Sequence, residues 1–267
     1  MEEVVWIVPI SNFDSDTKLV RFSERLCLKR ISRTKLENLL GKLTSDVTLF
    51  LSLLEAKYVL ENRIVPPSIK DERNDVILAL RLLKAGDLIV LAAFHTRKGN
   101  RVCLRTYDDL NRMLLPSNSY FLKSEETTDL IELWKIVRNR TPKSYLEFPI
   151  RKFMEAYDKQ GFDDRIVDYM LAFESIVFHG RDRSIQPAGE VIGIAIGMLL
   201  GDNLKDRTKI KKTLEKAYEL RSAKVHGNVK KLRNFGQNIK TLSMDVEDYL
   251  RRALRRLIKE CMHGVKK

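Results

Sequence analysis

Four glycines spaced four residues apart, Gly189, Gly193, Gly197 and Gly201, lie within the run PAGEVIGIAIGMLLG and constrain the fold more than any other feature. Each glycine inside a helix costs roughly 1 kcal/mol relative to alanine, so a helix that keeps several needs something to offset that cost. Four-residue spacing aligns them in a slowly drifting stripe, and a face without side chains lets another helix backbone come close. Ile, Val, Met and Leu cover the remaining surface, so the segment reads as the central buried helix of a bundle, structural in role. Pro187 fits its first turn and Gly201 its stop. Its apolar part, Val191 to Leu200, has about half of the roughly 20 residues needed to span a bilayer.

Helical spacing extends to both sides of this segment. Glu125–Arg138, Glu147–Lys159 and Asp163–Phe178 each carry apolar residues at helical intervals, with Asp163 or Asp164 placed to cap the third. Asp206 then opens a long helix, Arg207 to Val225. Ile210, Leu214, Ala217, Tyr218 and Val225 point inward, Lys209, Lys211, Lys212 and Lys216 mostly outward, and Gly227 terminates it. A last helix, Met244 to Met262, sets Val246, Leu250, Leu254 and Ile258 against an outward cluster of Arg251, Arg252, Arg255 and Arg256.

The first part of the chain has a different grammar. Val4–Ile10 and Lys18–Ile31 are rich in β-branched and aromatic residues with turn signals between them, and Ser32 or Thr34 can cap a short helix beginning near Lys35. Asp46–Leu60 is a strand or a helix, which periodicity does not settle. Asp71–Lys84 is helical in spacing and stopped by Gly86, and Leu88–Phe94 with Arg101–Tyr107 reads as a hairpin around Lys98, Gly99 and Asn100. LPSNS, Leu115 to Ser119, is the linker candidate. The expected architecture is therefore α+β: a mixed α/β N-terminal domain over residues 1–115, then an all-α helical bundle over residues 120–265.

Charge is distributed as unevenly as secondary structure. Residues 205–267 carry 19 Lys and Arg against 7 Asp and Glu, so +12 of the net +13 lies in the last quarter of the chain. A basic excess confined to a few helices makes a surface that attracts a polyanion through counterion release, so nucleic acid is the first partner to consider. Lys224, Lys230, Lys231, Arg251, Arg252, Arg255 and Arg256 are its expected contacts. Other classes lack support: there is no Gly-rich phosphate loop, HExxH or GxSxG. Cys27, Cys103 and Cys261 are neither a disulfide framework nor a zinc pattern. The acidic start MEEVV lacks the positive charge of an export signal, which leads us to expect a cytoplasmic protein with no membrane segment.

Among four histidines, His226 alone has a suggestive neighbourhood, KAYELRSAKVHGN, in which Arg221 precedes it by four intervening residues at the end of a basic helix. Arg256 and His263 meet a similar spacing without that context. RIVDYMLAFESIVF, VIGIAIGMLLGDN and DRTKIKKTLEKAYELRSAKVHG resemble, in order and spacing, the Apea-like HEPN family over residues 163–227. That resemblance implies a helical domain, frequently dimeric, that binds RNA and cleaves it without metal or cofactor. In such cleavage the ribose 2′-oxygen attacks the adjacent phosphate. A base must take its proton, a task the imidazole of His226 suits, and a cation must steady the phosphorane oxygens. Arg221 is suited to the second task with Ser222 beside it, and Glu174 and Tyr218 would support the pair. Five residues turn a helix by 500°, so Arg221 lies about 140° from His226, and convergence on one phosphate needs a loosened helix end or a second copy of the motif. A purely structural alternative stands beside this reading: Arg221 ties its helix to Glu174, and His226 caps the helix dipole. The corresponding functional alternative is a non-catalytic RNA-binding or dimerisation module.

Overall fold

A computed structural model describes residues 4–41, 53–64, 72–90, 92–97, 100–106, 119–140, 145–180 and 187–264. The chain divides into two compact units, Met1–Arg138 and Asn139–Lys267. Strands are confined to the first, and the described part of the second is helix and turn, so the fold is α+β.

The first unit is built on β1 (Val4–Ile10), β3 (Leu19–Arg21), β4 (Leu26–Arg30), β5 (Tyr58–Ile64), β6 (Ala92–Arg97) and β7 (Asn100–Thr106), in the order β3-β4-β5-β1-β6-β7. Every neighbouring pair is antiparallel, and Val8 opposite Leu60 and Leu28 opposite Leu60 set the central register. β2 (Phe13–Ser15) pairs in parallel with β8 (Tyr120–Leu122), where Phe13 stacks on Tyr120 at 5.5 Å. The hairpin expected over 88–107 is β6–β7; its turn residues Lys98 and Gly99 lie outside the described residues. The undecided stretch 46–60 ends in β5, and residues 42–52 lie outside the description.

Helix α1 (Arg33–Leu40) begins at Ser32, whose hydroxyl accepts from the Lys35 amide. α2 (Arg73–Leu83) is buried from Asp75 to Leu82, and Tyr120 donates from its hydroxyl to the Leu80 carbonyl at 2.8 Å. α3 (Thr127–Arg138) packs on α2, with Trp134 against Phe22 at 5.5 Å between ring centroids. The expected bundle over 120–265 thus loses its first helix to the N-terminal unit, and the break falls after Arg138. Most of the linker candidate lies outside the described residues.

The second unit holds α4 (Glu147–Ala156), α5 (Phe162–Val177), α6 (Ala188–Leu200), α7 (Leu204–Val225), α8 (Val229–Phe235) and α9 (Ile239–Gly264). The glycine stripe of α6 lies on α7 as close as backbones allow: a Cβ at Gly193 would stand 3.0 Å from the Lys211 carbonyl oxygen, and one at Gly197 3.0 Å from that of Arg207. The centre of the bundle, however, is α5. It packs against α4, α6, α7 and α9, with Ile166, Tyr169, Met170 and Phe173 fully buried. α6 is peripheral, leaving Ile194 45% and Met198 66% exposed. A glycine stripe fixes one seam and says nothing about what covers the opposite face.

Three further expectations are corrected. Asp163 and Asp164 lie inside the first turn of α5, whose N-cap is Gly161 with no side-chain cap. α7 opens at Asn203, whose side chain accepts from the Asp206 amide at 3.0 Å. The last helix starts at Ile239, and the short α8 precedes it. No helix among the described residues is long and apolar enough to cross a membrane.

Candidate functional site

The last two turns of α7 bury Ala217, Leu220 and Ala223 against the bundle, which turns Arg221 toward α5. There its Nη2 lies 3.2 and 3.4 Å from the two carboxylate oxygens of Glu174, which is 4% exposed. Arg221 also stands 5.6 Å from the centre of the Tyr218 ring, one turn back, and Tyr218 fills the notch left by Gly189. Its Nε is buried without a hydrogen-bond partner among the described residues. A phosphate oxygen can meet this guanidinium only through the fifth of the Arg221 side chain that stays exposed, since the Nε itself is shut off from solvent.

His226 is exposed and is the C-cap of α7. Its amide donates to the Ser222 carbonyl at 3.0 Å, and the chain then reverses through Gly227 at φ +66°. The Asn228 amide donates to Ala223 at 2.8 Å and the Gly227 amide to Lys224 at 3.2 Å, the bond pair of a Schellman end. Only a residue at ease with positive φ closes the helix this tightly. α7 is therefore regular up to its cap: its end is not loosened, and Arg221 and His226 stay about 140° apart around one axis. Ser222 is half-buried between them.

The expected RNA contacts separate into distinct groups. Lys224 bridges Asp163 and Asp164 at the start of α5, and the Asp163 hydrogen bond foremost raises its pKa, so its charge is already answered. Lys230 and Lys231 are exposed on α8, whose start is capped by the Asn228 side chain accepting from the Lys231 amide. Arg251 is contrary to expectation: it is 3% exposed and paired with Glu247 and Asp248. Burial opposes its charge, but Tyr157, Glu247 and Asp248 more than offset this and raise its pKa above the ordinary arginine value. It lies where the apolar stripe of α9 meets the polar face, and Tyr157, which donates to Glu247 at 2.6 Å, draws that boundary inward. Arg252 donates to the Leu200 carbonyl at 3.2 Å and Arg256 to that of Leu199, satisfying the open carbonyls at the end of α6. Arg255 is half-buried. Arg251, Arg252 and Arg256 thus make contacts within the unit, and of the four arginines Arg251 alone is buried.

No family model matches the chain, nor is any curated protein or solved structure significantly similar to it. The chemistry must accordingly be read from the residues themselves. An open cavity of about 330 Å³ lies between α7 and α9, lined by Asp202, Asp206, Asp245 and Asp248 with Lys209 and Arg252. Its four aspartates repel phosphate, and it does not include Arg221 or His226. Among the described residues no three His, Cys, Asp or Glu side chains are grouped to hold a metal ion. His179 packs beside Tyr145 at 5.2 Å, and His95 lies in β6 opposite Trp6. Sequence reading placed Lys209, Lys212 and Lys216 outward without naming them as contacts and passed over Lys205, whose four-residue spacing from Lys209 was the signal.

Proposed function

We infer that the C-terminal unit is a HEPN-type RNA-acting domain, working as a homodimeric, metal-independent endoribonuclease. The observation that carries this reading is the end of α7, where an exposed His226 sits on a rigid cap one turn beyond an Arg221 that Glu174 holds in a fixed, partly exposed position. His226 would take the 2′-hydroxyl proton. Arg221, with Ser222, would steady the charge that grows on the phosphorane oxygens. Because the two groups diverge on one helix, the complete site takes Arg221 from one copy and His226 from another. Cleavage by the neighbouring ribose oxygen leaves a 2′,3′-cyclic phosphate.

The second reading is a non-catalytic RNA-binding module, and the same ion pair favours it, since an arginine already facing a buried carboxylate has less charge to offer a phosphate. Incubating the full-length protein with mixed RNA in EDTA separates the two. Under the first reading, His226→Ala and Arg221→Ala lower the cleavage rate by about 10² or more while RNA affinity is kept, and His263→Ala is silent. Excess His226→Ala protein mixed with wild type should also suppress activity through inactive heterodimers. RNA bound but left intact by every version supports the binding module; variants that cleave like wild type remove Arg221 and His226 from the mechanism.

A further inference from the structure

Lys205, Lys209, Lys212 and Lys216 are all exposed on α7, and none makes an ion pair or side-chain hydrogen bond with a described residue. Their neighbours differ: Lys211 is turned to Glu190 at 2.7 Å and Glu215 at 3.6 Å, and Lys224 to Asp163 and Asp164. At 100° per residue the four fall within an arc of about 60°, and at 1.5 Å per residue they run for about 16 Å along the axis. The row is therefore straight and of one sign. Like charges three and four residues apart repel one another in the free helix, and a polyanion laid along them relieves that repulsion.

The opposite side of α7 decides what kind of polyanion fits. Ile210, Leu214 and Ala217 are buried in the bundle, so α7 has no apolar face to set into a bilayer as a membrane-surface helix does. On the same helix His226 lies within about 100° of each lysine, whereas Arg221 faces roughly the other way. The acidic cavity bounds the row on the α9 side, with Lys209 on its rim. Tyr218, the one aromatic residue of α7, is turned into the Gly189 notch and leaves the row without a surface for base stacking.

We propose that this lysine row is a track for the phosphate backbone of single-stranded RNA that leads toward His226. The proposal rests on the RNA reading above and adds its substrate class: a flexible strand, held without regard to base. A single strand is required because the 2′-oxygen must swing into line behind the scissile phosphorus, which a regular duplex prevents. Recognition through phosphates alone carries no sequence information, so oligonucleotides of different base composition bind alike. Glu219, exposed between Lys216 and His226, is the acidic gap in the track.

The test uses the full-length chain and a fluorescent 2′-O-methyl single strand, which is bound but cannot be cleaved. Glutamine at Lys205, Lys209, Lys212 and Lys216 together is compared with glutamine at Lys18, Lys35, Lys135 and Lys159, which are exposed and change the net charge equally. The row variant should bind at least about ten-fold more weakly in about 0.1 M salt. Its slope of log affinity against log salt should fall by about 3, the value for four lost phosphate contacts on a single strand. The control should change less than about two-fold, and Glu219→Lys should tighten binding. Equal losses in both sets would assign the effect to net charge and overturn the track. Wild-type affinity in the row variant would overturn the track alone and leave the Arg221 and His226 site standing, whereas a wild type that binds no RNA overturns both. A row variant that loses binding to phosphatidylserine vesicles but keeps RNA would make the row a lipid surface and overturn the proposal.

Discussion

Replacing Arg251 with methionine should destabilise the C-terminal unit by about 3 kcal/mol or more, although sequence alone places this arginine among surface charges. Arg251 is buried between Glu247 and Asp248, and Glu247 also accepts from Tyr157 at 2.6 Å and Tyr169 at 3.4 Å. Methionine fills most of the volume but leaves Glu247, itself largely shielded from water, with two phenol donors and no cation. Removing one partner of such a pair costs far more than the pair contributes, because the remaining charge stays desolvated. Hydrogen exchange of the α5 and α9 amides in the full-length chain reads this directly: about 3 kcal/mol corresponds to roughly 10² faster exchange. Arg256→Met removes a side chain that is 56% exposed and should leave the same amides nearly unchanged. Faster exchange in neither variant, with RNA affinity lost only in Arg251→Met, would put Arg251 on the binding surface after all.

Arg251 also shows where a sequence stops being legible. Four arginines within six residues read as one outward cluster because periodicity assigns faces by residue type. The departure arises from Tyr157, 94 positions earlier, which no local pattern connects to α9. Lys224 is hidden for the same reason, since its partners Asp163 and Asp164 sit where helix-cap statistics place a cap. By contrast the end of α7 could be read to the residue, because Gly227 supplies the positive φ that ends it, although the helix opens three residues earlier than expected and Val225, expected inward, is 56% exposed. α8 escaped because seven residues, VKKLRNF, are too few to establish a period. At the candidate site the sequence offered Arg221 two roles, phosphate cation and partner of Glu174. The structure places it on Glu174, a partner 47 positions earlier that no local pattern connects to α7.

The glycine stripe was legible as a close-approach face and illegible as a position in the bundle, and the difference leads to the second large effect. Gly197→Leu should destabilise the C-terminal unit by about 3 kcal/mol, while Met198→Ala, one residue away and 66% exposed, should do almost nothing. At Gly197 a Cβ meets the Arg207 carbonyl oxygen at 3.0 Å, and at Gly193 it meets the Lys211 carbonyl oxygen at 3.0 Å and Cα at 3.1 Å. These obstacles are backbone atoms of a regular helix, which cannot swing aside as a side chain can. Alanine there sets a gain of roughly 1 kcal/mol in helix propensity against a few tenths of an ångström of forced separation, so its effect is small and of either sign. Leucine has no such compensation and must part α6 from α7. Since α7 carries Arg221 on one side and the lysine row on the other, parting the seam should also move Arg221 off Glu174. Hydrogen exchange should therefore rise in α6 and α7 together in Gly197→Leu. A variant as well protected as wild type would mean that the two backbones are farther apart than 3.0 Å contacts imply, and that the stripe serves some purpose other than this seam.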